Sequence, residues 1–204
     1  MKKRLLYSVL LSILLFSCDI ENSGSDVYYY LNDYTKRIAD FKEGSYWIYY
    51  CDLLFTYDTV TVVKHEKRQS SEHMDSHYLY YENIELTYNS TFWDCEIYDI
   101  ISADYYRGDY YTRQLFVNDS LNRNFNIAVT NTSISPEFGG SVEIEEGIRL
   151  NGEYISHIVC YTKNPDSQIS DKYYFADSYG IVKMEYVIDS VCYKWDLVEY
   201  KLVK

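Results

Sequence analysis

Proline, glycine and basic residues are scarce in this chain of 204 residues. Two prolines and eight glycines exclude a collagen-like repeat and argue against a disordered chain, because both classes are rich in these residues. Lysine and arginine total 19 against 31 aspartates and glutamates, which gives a formal net charge of −12. An acidic surface repels phosphate backbones, so nucleic acid is not expected as a partner.

Several catalytic motifs are also missing. The chain has no Gly-x-Ser-x-Gly, no P-loop and no Gly-x-Gly-x-x-Gly, so serine hydrolases and nucleotide-binding folds lack support. No Cys-x-x-Cys spacing occurs, which argues against a zinc ribbon or a thioredoxin-type redox site. We therefore expect no cofactor and no metal.

The first 18 residues have the parts of a lipoprotein signal. Positions 2–4 are basic, and an apolar run of twelve residues follows at 5–16. This run is too short to span a bilayer but suits a secretory leader. Ser17 then precedes Cys18, which resembles the lipobox of bacterial lipoproteins, whose cysteine is acylated and begins the mature chain. The alternatives are a plain cleaved signal or a buried apolar helix.

The lipobox resemblance implies a signal peptide over residues 1–17, a lipid such as palmitate on Cys18, and a place at the outer membrane or cell surface. Without the leader, 16 basic residues face 31 acidic ones, a net charge near −15. Such a chain has no basic patch for anionic lipids, so Cys18 is the expected membrane attachment. Residues 18–25 read as a polar tether, and 26–204 as one β-rich domain that we expect to be monomeric.

Four cysteines follow Cys18: Cys51, Cys95, Cys160 and Cys192. Outside the cytoplasm an even number favours two disulfides, and three pairings are open. Cys51–Cys95 with Cys160–Cys192 is favoured weakly, since each closes a moderate loop worth about 4 kcal/mol. The alternative is that they are free thiols acting as small core hydrophobes.

Residue periodicity predicts one helix followed by many strands. From Asp26 to Phe41 apolar residues recur at three- and four-residue spacing, which predicts a short helix ended by Gly44. Ten or eleven short strands follow, with a polar hairpin loop at 64–76. Asn151-Gly152 predicts a tight hairpin, and a shift of the apolar face predicts a β-bulge near Leu197.

These patterns predict an all-β fold, a single antiparallel meander whose curved sheet closes into a barrel or half-barrel. The Gly-x-x-Trp-x-Tyr strand at 44–49 and the Gly-Ile-Val-Lys hairpin at 180–183 resemble β-rich lipoproteins of the Bacteroides group. That resemblance implies a lipocalin-like shape, and its shared motifs carry no catalytic residue. The Gly-x-x-Tyr usual in the second hairpin is missing around 76–78, so the register there is not implied.

Histidines and carboxylates supply two weak candidate sites. His73 and His77 have the spacing of metal ligands on a helix, but they fall in the predicted loop and lack a third ligand. Glycoside hydrolysis needs two carboxylates across a cleft. Carboxylates that share or neighbour a strand face occur in two places: Asp94 with Glu96, and Glu143 with Glu145 and Glu146. An exposed acidic strand has the same pattern, so we expect no enzyme.

Two further motifs would act at the surface. Thr59, Ser120 and Ser190 each stand between an aspartate and an aliphatic residue, which resembles the O-glycosylation sites of exported Bacteroides-group proteins. The same sequences also simply begin turns and strands. Arg-Gly-Asp at 107–109 is the tripeptide of integrin ligands, and equally an ordinary hairpin turn.

The 26 tyrosines are the remaining material for function. Tyrosine rings stack on sugars and apolar ligands and suit protein contacts, although most must lie in the core. The sequence therefore predicts a lipid-anchored binding or interaction module of the cell envelope, with a glycan, peptide or lipid as ligand. The alternatives are a carrier with an apolar barrel interior and a glycoside hydrolase with paired carboxylates.

Overall fold

A computed structural model describes residues 25–74, 77–104, 108–117, 120–131, 133–136, 140–150, 152–164, 170–188 and 190–203. In these ranges one helix, α1 (Asp33–Ala39), accompanies fifteen strands. The strands are β1 (Val27–Tyr29), β2 (Tyr46–Cys51), β3 (Thr56–Met74), β4 (His77–Ser90), β5 (Cys95–Ser102), β6 (Asp109–Val117), β7 (Ser120–Val129), β8 (Ile134–Pro136), β9 (Gly140–Glu145), β10 (Ile148–Leu150), β11 (Glu153–Ile155), β12 (Ile158–Lys163), β13 (Asp171–Ala176), β14 (Gly180–Ile188) and β15 (Val191–Lys201).

Twelve strands form one antiparallel sheet that curls into a nearly closed barrel. Strands β2 to β8 pair in chain order, and β9 and β12 to β15 continue on the other side. The last strand, β15, pairs with β2, while β8 and β9 contact each other at the two ends of the sheet. The predicted all-β barrel is thus confirmed.

Side chains along the barrel wall alternate between buried and exposed, as expected for a pleated sheet with one buried face. On β2, Trp47, Tyr49 and Cys51 are buried; on β5, Ile97 and Ile101 are buried. Burial of one such apolar side chain stabilises the fold by about 1.5–3 kcal/mol. All the inward faces join in one hydrophobic core.

The predicted helix is present but shorter at both ends. Asn32 begins it, because its side-chain oxygen accepts a hydrogen bond from Thr35 N at 2.8 Å. Asp26, the predicted cap, instead accepts a hydrogen bond from Tyr78 N at 3.1 Å. The residues between them form β1, parallel to β4, because Val-Tyr-Tyr favours a strand and the edge of β4 is free beyond the end of β5.

The predicted hairpin loop at 64–76 is wrong over most of its length. Strand β3 continues to Met74 and pairs with β4 in a long two-stranded hairpin. Positions 67–74 are exposed, so no apolar alternation marks them as strand.

Two other predictions are confirmed. The register between β15 and β2 shifts just after Leu197, and Gly152, at φ +86°, turns the chain between β10 and β11.

Candidate functional site

The barrel interior is filled by side chains. Six of the largest are less than 2% exposed: Trp195, Tyr88, Tyr111, Tyr161, Phe125 and Phe175. Two interior spaces among the described residues, one beside Arg123 and Tyr186 and one beneath Phe41, measure about 20 and 10 Å³. Such a space holds about one water molecule. Neither of these two spaces could hold a lipid-like ligand.

Two buried ion pairs add to this filling. Arg113 bonds Asp99 with two hydrogen bonds, and its guanidinium lies 5.0 Å from the centre of the Tyr88 ring. Arg123 pairs with Asp171 across the barrel, and its guanidinium lies 4.5 Å from the Tyr186 ring. Each arginine is thus held between a carboxylate and an aromatic face, which leaves neither positioned as a free anion site.

A groove of about 720 Å³ opens at the end of the barrel where α1 packs. This volume is typical of small-molecule sites. We call it the helix groove. Its walls come from α1, from β9, from the segment around β11, and from the turn between β13 and β14. It is lined by Tyr34, Arg37, Asn131, Ile144, Tyr154, Ile155, Ser156, His157, Val159, Asp177, Ser178 and Tyr179.

One wall of the groove is an ion pair. Arg37 Nε donates to Asp177 Oδ1 at 2.7 Å, and Ser178 Oγ donates to the same oxygen at 3.2 Å. The Arg37 guanidinium also lies 5.7 Å from the centre of the Tyr34 ring. Burial, followed by the charge of Asp177, raises the pKa of Tyr34, so this phenol stays neutral and can donate a hydrogen bond.

Two further tyrosines line the groove. Tyr154 on β11 is 61% exposed, although its hydroxyl accepts a hydrogen bond from Gly147 N at 3.2 Å. Tyr179 packs edge-on against Tyr200, with ring centroids 5.1 Å apart, and its backbone oxygen accepts a hydrogen bond from Trp47 Nε1. These contacts help to hold both tyrosines in place beside the groove.

Two non-glycine residues of the groove have left-handed backbone. His157 has φ +60° and Ser178 has φ +68°. Such conformations cost about 1–3 kcal/mol each when held by their surroundings, and they concentrate at functional sites. His157 Nδ1 lies 2.9 Å from Ser156 Oγ, which adds a second polar pair to the lining.

The four cysteines are free thiols, so the predicted disulfides are corrected. Two strands separate Cys51 on β2 from Cys95 on β5, and two separate Cys160 on β12 from Cys192 on β15. At about 4.8 Å between neighbouring strands, each pair is more than about 10 Å apart, beyond disulfide reach. Cys51 and Cys160 are buried and act as the small core hydrophobes of the alternative prediction.

The O-glycosylation predictions fall at three different kinds of position. Thr59 is half-buried on β3, and the preceding Asp58 is buried, where it accepts hydrogen bonds from Ser90 Oγ and Phe92 N. Ser190 is exposed in the turn before β15, at φ +66°. Ser120 begins β7, and its side chain lies outside the described part. These sites stay predictions, as does Cys18, which precedes the first described residue.

The remaining sequence candidates do not line the helix groove. His73 and His77 lie on opposite strands of the long hairpin, and the His73 ring packs on Tyr78 with centroids 4.8 Å apart. Asp94 lies in a turn and Glu96 on β5, whereas the glutamates at 143–146 are on or next to β9. In the described part of the chain, no three histidines, cysteines or carboxylates form a metal-binding group.

The integrin-type motif is not available for adhesion. Asp109 is 4% exposed, and its Oδ2 accepts hydrogen bonds from Asn32 N and Asn32 Nδ2 at 2.8 and 2.7 Å. This carboxylate therefore fixes the start of α1. Arg107 lies outside the described residues.

Sequence reasoning did not single out the helix groove. Arg37, Tyr154 and Asp177 come from three distant segments, and only folding brings them together. The Asn151-Gly152 hairpin was the one local signal, since it places Tyr154 on a short exposed strand.

No family model, no curated protein and no solved structure matches this chain. Within the described ranges, no helix combines the length and apolarity that are needed to cross a membrane.

Proposed function

We propose that the chain is a lipid-anchored binding module of the cell envelope that binds a neutral saccharide in the helix groove. The observation that carries this proposal is the pairing of a filled barrel interior with a groove that is lined by tyrosines and by an arginine–aspartate pair. Cys18 supplies the anchor, as its lipobox resemblance implies.

Saccharides suit this lining because a sugar ring has apolar C–H faces and a polar rim of hydroxyls. The exposed ring of Tyr154 offers a surface for the C–H face. Arg37 uses Nε to hold Asp177 and has no other ion-pair partner among the described residues, so its terminal amino groups are left for hydroxyls. Ser156 and Ser178 add short donors and acceptors.

A neutral ligand is favoured over an anionic one. The opposite charges of Arg37 and Asp177 offset each other within the groove. The mature chain is strongly acidic and repels anions at long range. A lipid tail is disfavoured because the groove floor carries several polar groups that it would leave unpaired.

An apolar-ligand carrier and a glycoside hydrolase have less support. The carrier needs interior volume, and the interior spaces hold about one water each. The hydrolase needs two carboxylates across a cleft. Asp177 is the one carboxylate lining the groove among the described residues, and Arg37 already pairs with it.

The test is titration of a Cys18→Ala protein, lacking residues 1–17, with a panel of neutral oligosaccharides by calorimetry. Tyr154→Ala should weaken binding about tenfold, because one stacking contact is worth about 1.5 kcal/mol. Tyr57→Ala is the matched control, since Tyr57 is 60% exposed on β3 and outside the groove. Binding that survives Tyr154→Ala unchanged would refute the groove as the site. Hydrolysis of a panel member would favour the enzyme, and uptake of a fluorescent fatty acid the carrier.

A further inference from the structure

A three-stranded arm extends beyond the barrel wall. Strand β5 stops pairing with β4 at Asn83, so residues 77–82 of β4 continue without it. There β1 takes the place of β5 on one side, and positions 69–74 of β3 pair on the other. The arm thus consists of β1 and the connected ends of β3 and β4.

The two faces of the arm differ. On one face Leu79 is buried, and Tyr29 stacks on Tyr81 with ring centroids 5.2 Å apart. This face is turned toward the protein, because Tyr29 packs against the main core.

The other face carries exposed tyrosines. Tyr28 stacks on Tyr80, with ring centroids 4.7 Å apart and planes 12° from parallel. Tyr78 lies beside Tyr80 at 6.1 Å, and the His73 ring packs on Tyr78. Tyr28 and Tyr78 are 49% and 44% exposed. We call Tyr28, Tyr78 and Tyr80 the tyrosine patch; Tyr30, at 69% exposure, follows it directly.

The position of the patch in the chain identifies its partner. Eight residues separate Cys18 from β1. They span at most about 29 Å. Strand β3 alone has 19 residues and is about 63 Å long. A chain anchored at Cys18 therefore holds β1 next to the bilayer.

We infer that the tyrosine patch lies in the headgroup layer of the membrane and sets the orientation of the anchored barrel. This inference rests on the lipid anchor of the proposed function. Tyrosine favours the membrane–water interface, because its ring is apolar and its hydroxyl is polar. Asp26 lies beside the patch, where it accepts a hydrogen bond from Tyr78 N, so uncharged or zwitterionic headgroups fit better than anionic ones.

The test compares tyrosine accessibility on and off a membrane. The full-length lipidated protein is reconstituted in phosphatidylcholine vesicles, and the Cys18→Ala protein without residues 1–17 is kept in solution. Both are iodinated by lactoperoxidase with iodide and hydrogen peroxide, which label from the water phase, and each tyrosine is quantified by mass spectrometry. Labelling of Tyr28 and Tyr78 should fall about threefold or more on vesicles, because headgroups shield them. Tyr57 and Tyr154, with similar exposure elsewhere, should not change.

A second variant separates the patch from the anchor. If the patch, and not the anchor alone, holds β1 at the bilayer, Tyr30 should lose its shielding when the patch is removed. In lipidated Tyr28→Ser/Tyr78→Ser protein with unchanged thermal unfolding, Tyr30 should therefore be labelled as strongly on vesicles as in solution. Equal labelling of Tyr28 and Tyr78 in the two states, for protein that floats with vesicles, would overturn the patch while leaving the anchor intact. Full-length protein that does not float would overturn the anchor and the patch, and would leave saccharide binding to its own test.

Discussion

Asp99 and Arg113 stand opposite each other on β5 and β6 inside the barrel, with Arg113 Nε 2.7 Å from Asp99 Oδ1 and Nη2 2.6 Å from Oδ2. The hydroxyls of Tyr88 and Tyr111 donate to Oδ2 at 2.7 Å each. Burial, with the neighbouring carboxylate, raises the pKa of both phenols. Burial disfavours the charged form of Arg113, but the charge of Asp99 beside it holds the pKa of the Arg113 guanidinium well above its usual value. One buried carboxylate thus satisfies three donor groups at the centre of the core.

Removal of the arginine from this pair should be costly. Arg113→Gln leaves the charge of Asp99 buried without its partner, which costs about 3–5 kcal/mol. The double variant Asp99→Asn/Arg113→Gln removes both charges and should lose less than the single variant. Urea unfolding at neutral pH measures both. The exposed pair of Arg68 with Glu66 is the control, and Arg68→Gln should cause no measurable change. A double variant less stable than Arg113→Gln would contradict this account.

Stability should depend on pH through Asp40. Burial alone would raise the pKa of this carboxyl, but hydrogen bonds with Lys42 and His65, at 2.8 and 2.6 Å, lower it to about 2. A lowered pKa stabilises the fold when the group is ionised. The contribution is therefore complete above about pH 4 and is lost as the pH falls through about 2. After allowance for solvent screening it amounts to about 1 kcal/mol.

The Asp40→Asn variant isolates this contribution. The difference in unfolding free energy between the wild type and Asp40→Asn should shrink steadily as the pH falls from about 4 to about 2, as measured by urea unfolding at each pH. A difference that stays constant over this interval would exclude Asp40 as its source.

Two glycines with left-handed backbone should respond differently to alanine. Gly180 has φ +77°, and a Cβ there would lie 2.9 Å from Phe41 Cε2, where the α1 region packs on β14. Gly152 has φ +86° with nothing within 4 Å of a Cβ. Gly152→Ala should cost about 1 kcal/mol from backbone strain alone. Gly180→Ala should cost about 2 kcal/mol or more, because the ring must also move. Equal losses of unfolding free energy in the two variants, as measured by urea unfolding, would mean that the Phe41 ring shifts freely.

Thiol titration should reveal four free cysteines. In a Cys18→Ser protein, Ellman's reagent should count Cys51, Cys95, Cys160 and Cys192 after denaturation. In the native state Cys192 should react first, because it is exposed. Burial, then the charges of Asp58 and Asp94, raises the pKa of Cys95 to about 11, so it should react slowly. A count of fewer than four thiols after denaturation would mean that a disulfide is present.

Arg37 should matter for saccharide binding and little for stability. Arg37→Met removes the guanidinium donors from the groove and should weaken binding of a panel ligand about tenfold, since hydrogen bonds to a charged donor contribute about 1.5 kcal/mol or more. The thermal midpoint should stay within error, because the pair with Asp177 is half-exposed. Calorimetry and thermal unfolding measure the two effects. A large fall in the thermal midpoint together with weaker binding would instead mean that Arg37 holds the groove together.

The barrel was predictable because its signals are local. The apolar run of β2, the alternation along β14 and the turn at Asn151-Gly152 depend on neighbouring residues. The extended end of β3 was missed because both of its faces are exposed to solvent, which removes the apolar alternation that marks a strand. The helix groove was out of reach for another reason. Arg37, Tyr154 and Asp177 meet through tertiary packing, and nothing in each segment indicates the others.

The seam between β2 and β15 has a consequence for how the protein is made. Trp47 pairs with Tyr200, so this seam joins the two barrel strands that come first and last along the chain. Closure of so long a loop is slow, because its entropy cost precedes any contact that repays it. Synthesis delivers the N-terminus first. The pairing of β2 with β15 can therefore form only after β15 has emerged, late in folding.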